Sequence, residues 1–292
     1  MALAVLGCGR PASDSTKMIV VASIAPLVDF ARQVGGDNVE VTLLVPPGSN
    51  PHTYQIQPNQ MSALSKASVL VLNGIGLEFW ADKVIDAAHN PKLIVVQTAD
   101  GLRVVDEDDG DEHGLRVVDE DDEDEHGNPH VWLDPVDAIH QVEAIRDAFI
   151  KADPTHAADY RKNARTFIEQ LRGLDSEIRE KVAGFKYKSF VTFHPTWTYF
   201  AKRYGLIQAA EIEPSPGKEP TPRDIAEAIK IARMVGAKAI FTEPQMSPKA
   251  AQVVAEEVGA KVLTLDPFGS PPGYDYIAMM RENLRKMAEA LK

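Results

Sequence analysis

Two runs of short apolar segments, each segment followed by a helical stretch, flank one unusually long helical stretch. In the first run, residues 18–24 (MIVVASI), 39–45, 69–73 and 92–96 read as strands, with helices over 26–34, 58–66 and 78–88 between them. Short strands rich in Val, Ile and Leu that alternate with helices favour a parallel sheet covered on both faces. Helices then follow over 135–151 and 154–183. The second, at about 45 Å, is a stiff connector rather than a loose hinge. Alternation resumes with strands at 189–193, 206–211, 239–242 and 261–265 and helices at 196–204, 222–235, 248–258 and 274–291. The pattern predicts an α/β chain of two Rossmann-like lobes with parallel sheets, joined by one long rigid backbone helix. The expected parts are a leader and tether at 1–17, an N-terminal lobe at 18–153, the linker helix at 154–183 and a C-terminal lobe at 184–292.

One segment breaks the pattern. Residues 101–113 (GLRVVDEDDGDEH) recur as 114–126 (GLRVVDEDDEDEH) with one substitution. Two copies are too few for a solenoid, which needs about three units to bury a core. The 26 residues hold thirteen carboxylates against two arginines, so they carry nearly all of the net charge of −12. The rest of the chain is close to neutral, without the basic character that nucleic-acid binding requires. A self-repelling stretch of this kind is expected to be a mobile loop. His113 and His126, which end the two copies, are candidates for low-affinity metal capture.

Cys8 is the only cysteine, which excludes a disulfide framework, a CxxC redox pair and a Cys-rich zinc module. It closes the run Val5-Leu6-Gly7-Cys8, which resembles a bacterial lipobox. On that reading the chain works outside the cytoplasmic membrane, in the periplasm or on the cell surface, tethered by lipid at Cys8 rather than by a helix. No stretch approaches the roughly 20 apolar residues of a membrane span.

Candidate chemistry gathers at strand ends. His52 lies in Asn50-Pro51-His52 and His130 in Asn128-Pro129-His130; His194 and Asp266 directly follow the strands at 189–193 and 261–265. Ligands of open α/β sheets bind beyond the carboxyl ends of strands. Three imidazoles and a carboxylate make a complete tetrahedral set for a borderline divalent ion, two donors from each lobe, so the expected metal site lies in the cleft between lobes. A closed shell of four protein ligands favours holding an ion over reacting with it, since a catalytic metal keeps a position open for water. No catalytic residue is therefore assigned, and a metal-dependent hydrolase stands as the alternative from another class. The GxSxG, HExxH, GxGxxG and GxxxxGK[ST] signatures are absent. Glu213 and Glu243 follow strands and could approach the cleft. His89, His140 and His156 fall on helical surfaces and are expected to be solvated. Binding should weaken as pH falls toward the ordinary imidazole pKa near 6.5.

With these residues in view the chain resembles the metal-binding solute-binding lipoproteins of bacterial ABC importers, the group that includes the zinc protein ZnuA and related manganese proteins. The resemblance rests on Asn50-Pro-His-Thr-Tyr-Gln55 with Pro58, on Asn128-Pro-His-Val-Trp-Leu-Asp-Pro135, on Phe193-His194 with Tyr199-Phe-Ala-Lys-Arg-Tyr-Gly205, and on Leu265-Asp-Pro267. It implies an ion held by His52, His130, His194 and Asp266 and delivery to a membrane permease powered by a separate ATPase; the rigid linker predicts small lobe movements. The chain is expected to act as a monomer. Zinc members often carry a charged, histidine-rich loop where 101–126 stands, although here Asp and Glu replace most of the histidines. His194 and residues 213–219 look more like the zinc members, so Zn2+ is the expected ion with Mn2+ as the alternative. Some surface adhesins share this scaffold, which keeps an interaction role open.

Overall fold

The structure is a computed structural model that describes residues 17–105, 115–117, 127–213, 217–269, 271 and 273–292. The leader with Cys8, and His113 and His126 with the acidic stretches around them, lie outside the described residues.

The N-terminal lobe runs β1 (Met18–Ala22), α1 (Ala25–Gly35), β2 (Val39–Leu43), α2 (Pro58–Leu64), β3 (Val69–Leu72), α3 (Ala81–Ala88) and β4 (Ile94–Gln97). Its four strands pair in parallel in the order β2-β1-β3-β4. Next come two short strands, β5 (Arg103–Val105) and β6 (Leu115–Val117), and then α4 (Pro135–Ala152) and α5 (Ala157–Ala183). The C-terminal lobe runs β7 (Ser189–Thr192), α6 (Thr198–Tyr204), β8 (Ile207–Glu211), α7 (Pro222–Val235), β9 (Ala239–Thr242), α8 (Lys249–Val258), β10 (Lys261–Thr264) and α9 (Tyr276–Leu291). Its sheet is also parallel, in the order β10-β9-β7-β8. Read from the other edge, that is the N-terminal order again: second, first, third, fourth. Both lobes therefore reverse direction beside their first strand, and this reversal opens a crevice at the carboxyl ends of the strands.

Helix α5, 27 residues and about 40 Å long, is the spine. Its buried residues Tyr160, Ala164, Phe167, Leu171, Leu174, Ile178 and Val182 recur every three or four positions. That spacing draws one apolar stripe along a helix. The stripe belongs to a single apolar core that also takes in Phe30 of α1, Phe149 of α4, Phe190 of β7, Phe200 of α6 and Met280 of α9. The lobes are locked by more than the spine. Tyr276, at the start of α9, packs its ring 5.0 Å from that of Phe30. Its N–H donates to Asp29 of α1 (2.8 Å) and its hydroxyl to the Trp132 carbonyl (2.7 Å). Close-packed contacts that span both lobes resist hinge opening.

Where boundaries differ from the sequence reading, a side chain explains each. The spine begins at Ala157 because Pro154–His156 forms a separate 3-10 turn in which Asp153 accepts from Thr155 N–H. Helix α3 begins at Ala81, because Glu78 turns inward to accept from Asn73 N–H (2.9 Å), Gly74 N–H (3.0 Å) and the Ser23 hydroxyl (2.5 Å). At the repeat, residues expected in a loop instead form strands: β5 from the first copy pairs antiparallel with β6 from the second. Val104 and Val105 are buried with Ile75, Leu102, Val131 and Tyr199, which anchors the ribbon. Among the described residues no helix is long and apolar enough to cross a membrane.

Candidate metal centre

One device is used twice to hold a histidine. After β2, the Asn50 side-chain oxygen accepts from His52 N–H (3.0 Å); before α4, that of Asn128 accepts from His130 N–H (3.0 Å). Such Asx turns, with proline between, stiffen each Asn-Pro-His segment before any ligand arrives. Asn128 also sits 2.8 Å from His130 Nδ1. An amide oxygen can only accept, so Nδ1 carries the proton and Nε2 is left with its lone pair free for a metal. His194 follows β7, at the reversal point of the second sheet.

The three rings meet between the lobes. Their centroids form a near-equilateral triangle: 5.2 Å between His52 and His130, 5.1 Å between His52 and His194, and 5.1 Å between His130 and His194. One ligand nitrogen from each lies within 4.8 Å of the other two. The Nε2 atoms of His52 and His130 are 3.2 Å apart, close to the ~3.3 Å edge of a tetrahedron with zinc–nitrogen bonds near 2.05 Å. His194 is 1% exposed, and its ring has no side-chain hydrogen-bond partner, only backbone at Glu213. Buried polar atoms are nearly always paired, so a buried imidazole with a free nitrogen between two others marks a place for a cation.

Burial also settles the protonation state. Desolvation takes His52 from 6.5 to about 4. It takes His194 to about 3, with the neighbouring His52 adding to the effect. His130 is held well below 6.5 by burial and then by both partners. The expectation that binding weakens near pH 6.5 is thereby corrected to lower pH: desolvation in the cleft favours the neutral form of all three imidazoles, which is the form a metal needs.

Asp266 stands at the end of β10 with Oδ1 accepting from Phe268 N–H (3.0 Å) and Gly269 N–H (2.9 Å). Asn283 of α9 brackets its backbone, accepting from Asp266 N–H and donating to its carbonyl. The next carbonyl, of Pro267, accepts from Trp132 Nε1 (2.8 Å), and the Trp132 ring lies 5.2 Å from that of His130. Asp266 thus belongs to the same wall of the cleft, but its carboxylate is not among the ligand atoms that converge within 4.8 Å. Glu243, after β9, is buried and accepts from the Thr196 hydroxyl. Burial raises it to about 8, partly opposed by that bond and reinforced by Glu213 and Asp266. Glu213, after β8, is raised to about 7, again chiefly by burial.

Of the remaining histidines, His89 is solvated as expected, whereas His140 and His156 are not. His89 is exposed and ends α3 in the left-handed region (φ 48°). His140 and His156 are half-buried and engaged, His140 with the Asp100 carbonyl (2.7 Å) and His156 with Asp153 (2.5 Å). Two residues that stand in the quoted motifs without a role of their own matter more. Asn128 reaches across the cleft to the Pro195 carbonyl (2.5 Å), and the Tyr199 hydroxyl donates to the Asn128 carbonyl (2.6 Å). The doubled Asn-Pro-His tripeptide was the available signal for Asn128; Tyr199 opens the Tyr199–Gly205 motif, but nothing local shows what its hydroxyl reaches.

A family model described as ZnuA, zinc-uptake complex component A, periplasmic, matches residues 20–290. Zinc-binding lipoprotein AdcA of Streptococcus pneumoniae serotype 4 is 30% identical over 297 aligned residues, which cover 99% of this chain and 58% of that protein. The chain thus spans little more than half the length of that relative. A crystal structure of ZnuA superposes with a TM-score of 0.82 at 30% identity, covering 94% of this chain and 99% of that one. The laminin-binding protein Lbp of Streptococcus pyogenes superposes with a TM-score of 0.79 at 29% identity, covering 95% and 100% of the two chains.

Proposed function

The chain belongs to the ZnuA family, and from that membership we propose that it captures a divalent transition-metal ion, zinc, outside the cytoplasmic membrane and delivers it to the permease of an ABC importer. It acts by binding and not by catalysis. His52, His130 and His194 supply three neutral nitrogen donors, and Asp266 supplies the fourth from the end of β10. Imidazole-rich sets suit zinc, whereas manganese favours carboxylate and water oxygens. The protein works as a monomer tethered through Cys8, and His113 and His126 add weak capture sites.

The observation that carries this reading is the triangle of histidines, His130 and His194 buried and His52 half-buried, with ligand nitrogens within 4.8 Å of one another. The similarity to AdcA, a zinc-binding lipoprotein, supports zinc as the ion.

Competitive titration of metal-stripped protein with zinc and with manganese tests it. One tight zinc site is expected, lost in His194→Ala and weakened about 10- to 100-fold in Asp266→Ala, while manganese binds much more weakly. Tighter binding of manganese would transfer the reading to that ion. No tight site for either would overturn it.

A further inference from the structure

We propose that Tyr199 of the C-terminal lobe is a positioning residue for His130, acting through Asn128, and that the root of the acidic ribbon is part of the same clamp. This rests on the reading of the three histidines as metal ligands.

Asn128 is 2% exposed and every one of its polar groups is engaged. Its side-chain oxygen accepts from both His130 N–H and His130 Nδ1–H. Its amide nitrogen donates to the Pro195 carbonyl and the Thr198 hydroxyl (3.3 Å), both just beyond His194. Its backbone closes a ring with Val105 and Tyr199. Asn128 N–H donates to the Val105 carbonyl (2.8 Å), Val105 N–H donates to the Tyr199 hydroxyl (3.1 Å), and that hydroxyl donates to the Asn128 carbonyl.

The hydroxyl is therefore wedged into what would otherwise be a direct backbone pair between residues 105 and 128. Without it, Val105 N–H and the Asn128 carbonyl are both buried and unpartnered, which is unfavourable enough to draw them together. Closing that gap shifts Asn128, whose side-chain oxygen accepts from His130 Nδ1–H. The next residue is pinned elsewhere, because the Asn73 side-chain amide donates to the Pro129 carbonyl (2.8 Å). The displacement must then be absorbed at Asn128 itself and at its bond to the imidazole. Outer hydrogen-bond partners of a ligand imidazole set both its tautomer and its orientation, and losing one weakens metal binding about 10- to 100-fold.

The test uses the full chain carrying Tyr199→Phe, with Tyr204→Phe as control. Tyr204 lies on the same helix, and its hydroxyl donates to Asp175 (3.0 Å), outside the histidine frame. Two readings are taken. In metal-free protein, nitrogen-15 correlation spectra should show a single, Nδ1-protonated His130 in the wild type and a tautomer mixture or broadened signal in Tyr199→Phe. In zinc-loaded protein, transfer to an excess chelator should be about tenfold faster in Tyr199→Phe and unchanged in Tyr204→Phe. Wild-type values for Tyr199→Phe in both readings, or equal changes in the two variants, would overturn the proposal. Should the wild type bind no zinc, the metal-site reading fails on its own, and the spectrum of the metal-free protein still decides the role of Tyr199.

Discussion

Lowering the pH from 7.5 to 5.5 should leave the intrinsic zinc affinity of the metal-free protein almost unchanged. An ion that needs three neutral imidazoles of ordinary pKa would meet each of them about tenfold protonated at pH 5.5, and would bind about a thousandfold more weakly. Burial instead places His52 at about 4 and His194 at about 3, with His130 also well below 6.5. At pH 5.5 only a few per cent of His52 is then protonated and less of His194, so the proton competition from these two is under about twofold. The protons are taken up by the unfolded chain instead. Between pH 6.5 and about 4 the unfolded state binds more protons than the native one, so stability is present above 6.5 and is lost as the pH falls through that window. At pH 5.5 the loss is roughly 2–3 kcal/mol for these two histidines together. Titration against a chelator of known proton dependence at pH 7.5, 6.5 and 5.5, paired with urea unfolding of the metal-free protein, checks both halves. A fall in affinity of a hundredfold or more by pH 5.5, with unfolding insensitive to pH, would refute the reasoning.

Other substitutions probe the frame around the site. Arg203 Nε donates to Asp134 (2.6 Å), whose side chain is 5% exposed and caps α4 through Val136 N–H. Arg203→Ala should lower the unfolding free energy by about 3–5 kcal/mol by leaving that carboxylate buried and unpaired, and adding Asp134→Asn should recover part of it in a denaturant melt. Leu171 lies in the spine's buried stripe with no exposure, so Leu171→Ala should cost about 2–5 kcal/mol while the zinc stoichiometry stays at one. At Gly127 an added Cβ would lie 2.1 Å from Val104 Cγ1, a fully buried side chain. Gly127→Ala should destabilise by about 1–3 kcal/mol and raise the zinc dissociation rate, both measurable on one preparation.

How much of this was legible beforehand depends on whether a signal is local. The strands stand within a residue or two of their sequence placement, because consecutive Val and Ile next to glycine and proline carry their own message. His52, His130 and His194 could be singled out for a similar reason: each stands past a strand or before a helix, beside a proline. Their imidazole pKa values could not be read, since these follow from the rings burying one another across 5 Å. Nor could Tyr199, whose hydroxyl finds residues 94 and 71 positions away. The acidic copies misled for the opposite reason. Their charge dominates the composition, while the Leu-Arg-Val-Val that opens each copy carries the strands.

Those strands come from a single thirteen-residue text written twice. Paired antiparallel, Arg103 with Val117, Val104 with Arg116 and Val105 with Leu115, the second copy supplies the hydrogen-bond ladder that the first lacks. An insertion ordinarily leaves its new backbone edge for the host fold to cover. A tandem duplication of a strand-forming segment covers its own, so it could enter an existing loop without compensating change elsewhere.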